Sequence, residues 1–352
     1  MNVSRYQNRE TLKFEIEFIT PTFLGGANGD AEIRTAPFKS LLRRWWRIVK
    51  SNLKPKELWK QESRLFGSTE KDPDSKDGKT PFGKSKIDLK IVKSEIEYGE
   101  GRLNFGKLDD SFTNDSPIPL RSSSTGPIYV ASYLGYGAVG KRSYIEPGKK
   151  LMFTLDVPRE HKDDMIQTLY YIDFFGTIGS KSKNGFGSIA VKPIGFDFED
   201  CGIDSQNVNK VLNLKDKNDE DAKDDKNEKK DEKNYPNSIV SDSYGFMIWA
   251  TEEDARYENI MKTLCDIYVR AKRKLILPLF GAAKESQLPY GAKRLPSLLT
   301  LKVAKNDEND RYSGFLIFVP YAVKGWKSDI LEQEIEKICE FFDKEKSIER
   351  LY

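Results

Sequence analysis

Residues 14–50 read FEIEFITPTFLGGANGDAEIRTAPFKSLLRRWWRIVK. The stretch opens on an alternating strand. From Thr11 onward, Leu12, Phe14, Ile16 and Phe18 fall on one side, and Lys13, Glu15 and Glu17 on the other, the period of a half-buried strand. A glycine turn and an extended bridge follow, and then a helix crowded with arginine and tryptophan. At about 100° per residue, Phe38, Leu41, Leu42, Trp45, Ile48 and Val49 form one apolar stripe. A second stripe, rotated by roughly a third of a turn, holds Lys39, Arg43, Trp46, Arg47 and Lys50. Trp45 sits at the centre of the apolar stripe and belongs to a core. The cationic stripe reads either as a solvated face or as a binding face. Three features favour binding. No carboxylate lies between Ala36 and Asn52 to pair with it along the helix. Trp46 stands off the apolar stripe. The preceding glycine turn offers backbone amides to an anion.

Working outward, Pro37 suits the first turn of this helix. Lys56–Phe66 reads as a short second helix stopped near Gly67, and 68–84 as a polar surface loop. Lys86–Val92 alternates as a strand. Residues 98–126 are irregular, Ile128–Leu134 is strand-like, and Leu151–Val157 is a further strand. Glu160–Phe175 has helical spacing in Met165, Ile166, Leu169 and Ile172, and Gly176 ends it. Gly187–Phe196 returns as a strand. Loops aside, the order is the β-α-β-β-α-β pattern of a ferredoxin-like domain.

The segment 215–233 is nearly all charge of mixed sign and reads as a disordered insert. Beyond it come a strand at Tyr244–Ala250, a helix at Glu252–Lys274, strands at Leu298–Val303 and Gly314–Tyr321, and an amphipathic helix at Lys327–Lys344. That is the same unit with its last strand missing. The fold class expected is therefore α+β: two ferredoxin-like (RRM-like) domains with insertions. Their bounds are 1–200, a charged linker at 201–238, and 239–352.

Composition narrows the function. The chain has 352 residues, 32% of them charged, yet its formal net charge is only +3. Charge distribution therefore matters more than bulk charge. No run of about 18 apolar residues spans a membrane, and MNVSRYQNRETLKF lacks a signal segment, so the cytoplasm is expected. Cys201, Cys265 and Cys339 lie far apart without a CxxC pair. His161 is the single histidine, at an exposed helix start. No metal or cofactor site is expected, and no small-molecule substrate.

A second candidate stretch is GTIGSKSKNGFGSI, 176–189, with Gly176, Gly179, Gly185 and Gly187 around Lys181, Lys183 and Asn184. It follows a helix and precedes a strand, so it is neither a P-loop nor a Rossmann fingerprint. It reads either as a flexible connector or as a loop whose backbone approaches another chain closely. A helix ended by glycine, a lysine-bearing loop and a GFG return into a strand resemble the glycine-rich loop of the RAMP superfamily of CRISPR proteins. ITPTFLGGA, EIRTAPFKSLLRRWWR and RLFGS at 64–68 are similar, more narrowly, to the first-numbered subunit of the Cmr (type III-B) effector complex. PLFGAA and LPYGAKRLPS resemble that subunit's second domain.

The resemblance implies a non-catalytic subunit. It would engage the 3′ region of a guide (CRISPR) RNA and target RNA, beside RAMP backbone subunits and other Cmr subunits. The residues agree, since lysine and arginine neutralise phosphates and exposed aromatics stack bases. The expected RNA contacts are Arg34, Lys39, Arg43, Trp46, Arg47, Lys50, Lys181, Lys183 and Asn184, with weaker loop candidates at Arg121, Lys141, Arg142, Lys284, Lys293 and Arg294. Two other readings stay open. One is a RAMP-type endoribonuclease that processes the guide precursor with a histidine-free site, given 16 tyrosines. The other is an assembly subunit for which Trp46 anchors a protein partner.

Overall fold

The structure is a computed structural model that describes residues 8–25, 31–51, 53–76, 78–94, 130–138, 142–198, 247–275, 297–319 and 328–351. Strand β1 (Arg9–Phe18) leads into helix α1 (Thr35–Val49), which starts two residues before Pro37. Helix α2 (Pro55–Phe66) has proline at its first position, Glu57 in its first turn and Arg64 in its last, each suited to its end of the helix dipole. Gly67 closes it at φ +84°, and a Cβ there would lie 2.6 Å from the Ser85 amide nitrogen. Only glycine fits that approach.

Strands β2 (Ser68–Lys71) and β3 (Pro81–Gly83) form a small hairpin within the stretch expected to be loop. β4 (Asp88–Ser94) follows. Residues 130–134, expected to be extended, form a short helix, α3 (Val130–Leu134). Both ends of its apolar run are buried, Val130 and Leu134, and a four-residue spacing buries both ends of a helix as readily as an alternating strand would. β5 (Lys150–Pro158), α4 (Lys162–Phe175) and β6 (Ile189–Ile194) complete the first half.

The first sheet runs β4-β5-β1-β6, antiparallel throughout. Phe14 and Phe153 are paired in register and their rings stack 5.4 Å apart. The alternation in β1 holds: Leu12, Phe14, Ile16 and Phe18 are all buried. The apolar stripe of α1 and the apolar side of α4 pack into the same core.

The second half contains β7 (Met247–Thr251), α5 (Tyr257–Leu275), β8 (Leu299–Asn306), β9 (Arg311–Phe318), α6 (Ser328–Asp343) and β10 (Ile348–Arg350). Its sheet runs β10-β7-β9-β8. The last strand, expected to be missing, is β10. It pairs antiparallel with β7 through Ile348–Thr251 and Arg350–Trp249. Three residues with a single half-buried side chain carry too little alternation to be read as a strand. In both halves the strands, numbered in chain order, lie fourth, first, third, second across the sheet. The segment 201–238 and the irregular 98–126 lie outside the described residues.

The two halves share packing. Ile248 and Ile317, from β7 and β9, join the core of the first half. Lys302 of β8 is buried at 1% exposure, and its ammonium group donates to the carbonyls of Ile172 and Asp173 at the end of α4. A cation there meets the negative end of the helix dipole.

Candidate nucleic-acid interface

The cationic stripe of α1 is partly covered. Helix α2 lies across it. Trp46, expected at its exposed border, is 0% exposed, with its ring edge-on to Phe66 at 5.7 Å. Arg43 Nε lies 2.6 Å from Oε1 of Glu62, and Arg47 Nε lies 3.7 Å from Oε2 of the same carboxylate. Glu62 itself is only 3% exposed. Lys50 pairs with Asp164 of α4 at 2.6 Å. Burial works against the charge on Asp164, but hydrogen bonds from His161 and Lys50 outweigh it and hold the carboxyl below its usual range. Burial lowers Lys39, against the opposing charge of Asp88. The carboxylates absent from the helix itself thus arrive from α2 and α4. Arg43, Arg47 and Lys50 are engaged in ion pairs within the chain, and the buried Trp46 has no open face on which a base could stack.

The arginine that the stripe arithmetic passed over is Arg44. On the helical wheel it lies about 40° from Ile48, at the opposite border of the apolar stripe from the cationic face. It is exposed, and its guanidinium lies 6.0 Å from the ring centroid of Trp45. Trp45 is core, as expected, stacked near Tyr171 and Phe175 at 6.2 and 5.8 Å. It also lines a narrow cleft between the halves, with Arg44, Lys183, Thr177, Ser297 and Val319 around it.

The glycine-rich loop is ordered and tightly held, not a flexible connector. Gly187 takes φ +65°, and a Cβ there would meet the Ile178 carbonyl oxygen at 1.9 Å. Gly179 takes φ +91°, with the Phe23 carbonyl oxygen 2.6 Å from a Cβ. The close approach expected was to another chain; what the loop's backbone meets in the structure is the second half of its own chain. The Gly185 amide donates to the Leu301 carbonyl at 3.1 Å, and the Leu301 amide to the Lys183 carbonyl at 2.9 Å. Ser188 Oγ accepts from the Val303 amide at 3.0 Å. Lys183 donates to the Ser297 carbonyl. Burial, and then the nearby charge of Arg44, push its ammonium down to about 8. Lys181 sits at φ +61°, a left-handed conformation that costs a non-glycine residue about 1–2 kcal/mol.

Two more cations lie on segments beside this loop. Arg142 donates to Ser180 Oγ at 3.2 Å, next to Lys181. The neighbouring Ser143 accepts from the Ala31 amide at 2.7 Å. Arg34, three residues on from Ala31, is exposed and donates to the Gly25 carbonyl at 3.2 Å. Asn184 Nδ2 donates to the Leu134 carbonyl at 2.7 Å and so ties the turn after α3 to the loop. The contacts thus tie Arg142 to the loop beside Lys181 and set Arg44 near Lys183, while Arg34 reaches back to the turn that follows β1. Of the other expected contacts, Arg121, Lys141, Lys284, Lys293 and Arg294 lie outside the described residues. Among the described residues no group of three or more histidines, cysteines or carboxylates is placed to hold a metal. None of the described helices is long and apolar enough to cross a membrane.

A family model, the RAMP superfamily, matches residues 15–190. The chain belongs to the RAMP superfamily. The match runs from β1 through the glycine loop into β6, the part of this RAMP chain that carries these five cations. No curated protein matches the sequence significantly. Among solved structures, the fold is similar to that of Cmr1 from Pyrococcus furiosus, in its apo form. That likeness has a TM-score of 0.58 and 13% identity, and covers 97% of this chain and 99% of that one. A subunit of a type III-B Cmr-beta complex, bound to cognate target RNA and AMPPnP, is similar at a TM-score of 0.47 and 16% identity. There the coverage is 94% of this chain and 98% of that one.

Proposed function

We propose that this RAMP protein is an RNA-binding structural subunit of a Cmr-type (type III-B) CRISPR ribonucleoprotein. It contacts guide RNA, target RNA or both, beside other RAMP subunits, and it has no catalytic role of its own. The observation that carries this reading is the set of cations at the glycine loop, Arg142 bonded to Ser180 beside Lys181 and Arg44 near Lys183, which Arg34 in the turn after β1 would extend. Such a cluster neutralises successive phosphates. Membership of the RAMP superfamily and the likeness of fold to Cmr1 support it. The shared strand order of the two sheets supports reading each half as a ferredoxin-like domain, with domains at 1–200 and 239–352.

The test is a salt titration of binding to unstructured RNA by the full chain. Arg44→Ala with Arg142→Ala removes two exposed cations. The slope of log K against log salt is expected to fall by about 1.4, at roughly 0.7 per phosphate contact on single strands. An unchanged slope refutes this placement of the interface.

A further inference from the structure

The turn after α3 reads Gly135-Tyr136-Gly137-Ala138. Among the described residues Tyr136 is the most exposed of the large apolar and aromatic side chains, at 81%. The turn beneath it is fixed. Leu134 and Ala138, on either side, are each only 1% exposed. The Leu134 carbonyl accepts from Asn184 at 2.7 Å, between Lys183 and Gly185 of the glycine loop. The Ala138 amide donates to the Gly135 carbonyl at 2.8 Å, and the Arg142 amide to the Ala138 carbonyl at 3.0 Å. Gly137 takes φ +81° with open space where a Cβ would lie. A full aromatic ring is thus held out on a turn bonded both to the lysine-bearing loop, through Asn184, and to Arg142, which itself bonds Ser180 of that loop.

We infer that Tyr136 is a stacking platform for an unpaired base, and that it makes this surface select single-stranded over double-stranded RNA. This rests on the RNA-binding reading above. An exposed ring bonded to its neighbours through the backbone adds nothing to the core, and it leaves both π-faces open to solvent. A base stacks on either face without regard to its identity. It does so only when it is out of a helix, because duplex bases already occupy each other's faces. The flanking cations hold the phosphates on either side of that base, whatever the strand state. Charge therefore supplies affinity for any RNA, and the ring supplies the preference for an open strand.

The experiment measures binding of the full chain to a labelled oligouridine and to a blunt-ended RNA duplex of the same length, each across a salt series. Tyr136→Ala is expected to weaken oligouridine binding by about 5- to 100-fold, with the salt slope unchanged and duplex binding unaltered. Tyr136→Phe retains binding. Tyr136→Leu, apolar but not aromatic, behaves like the alanine variant. Equal oligouridine affinity for parent and Tyr136→Ala overturns the inference, as does an equal loss on the duplex or rescue by leucine. If the parent protein retains neither RNA at any salt, the RNA-binding reading itself fails and this inference with it. Unchanged melting of all three variants shows that the loss is not one of folding.

Discussion

Removing Arg43 and Arg47 together tests whether the cationic stripe of α1 is structural. Glu62 is 3% exposed and meets two guanidinium groups, at 2.6 and 3.7 Å. Arg43→Ala alone leaves Arg47 within Coulombic reach. The cost is then one charge-assisted hydrogen bond, about 1.5–3 kcal/mol, at the low end because the Arg43 side chain is 43% exposed. The double variant Arg43→Ala/Arg47→Ala strands a buried carboxylate, and the cost rises to about 3–5 kcal/mol. At roughly 2–4 °C per kcal/mol for a domain of 150–250 residues, melting of the first half drops on the order of 10 °C. Urea denaturation followed by tryptophan fluorescence reads the same quantity as a lower midpoint. Adding Glu62→Leu to the double variant removes the stranded charge, and most of the loss is expected to return. Two results refute the reasoning: a double variant as stable as the parent, or a triple variant no more stable than the double. A flattened RNA salt slope in a fully stable double variant would return these arginines to the interface.

The two adjacent tryptophans are expected to fail alike. Trp45→Ala and Trp46→Ala each open a cavity under α1 and cost about 3–5 kcal/mol, read by denaturant midpoints. A Trp46→Ala variant that melts like the parent contradicts the packing against α2. Lys302 supplies a pH test. Its buried ammonium is pushed down to about 7 by burial, against the opposing charge of Asp173. Between that value and the ordinary lysine range, the unfolded chain binds the proton that the folded chain has released, so stability rises with pH. The contribution is about 1.4 kcal/mol per pH unit. The difference in unfolding free energy between the parent and Lys302→Met, measured from pH 7 to 9, shows this slope. Parallel curves remove Lys302 as its source. For RNA binding, Lys183 loses its charge as pH climbs through about 8, so affinity is expected to fall across that range. Lys183→Arg, charged throughout, removes the fall, and an unaltered pH profile in that variant rules Lys183 out.

The strands and helices of this chain were legible because each carries a strong period of its own. β1 and α1 bury the residues that the alternation and the apolar stripe assign to them. The errors share one cause, which is that a period describes one element and takes no account of its neighbours. Residues 130–134 hold too few positions to separate a helix from a strand, and β10 is short and nearly all polar. The stripe of Arg43, Trp46 and Arg47 looked unpaired because pairing was sought at helical spacing. Glu62, which meets both arginines, lies 19 residues beyond Arg43 on α2. The glycine loop was located correctly, but its partner, β8, stands more than a hundred residues away in the chain.

One physical rule separates the structural cations of this protein from those at the proposed interface. A cation within reach of a buried carboxylate is committed to the fold, because withdrawing it would leave that carboxylate bare at a cost of about 3–5 kcal/mol. Arg43 and Arg47 meet that condition through Glu62, and Lys50 pairs with the half-buried Asp164. Lys183 has the opposite surroundings. Burial, and then the like charge of Arg44, lower its ammonium, and a phosphate beside it would offset that repulsion. The positive charge of α1 thus divides along the helix wheel. The side that faces α2 is neutralised by carboxylates of the chain itself. The side that faces the glycine loop places Arg44 near Lys183, the two cations of the proposed interface that line the cleft between the halves.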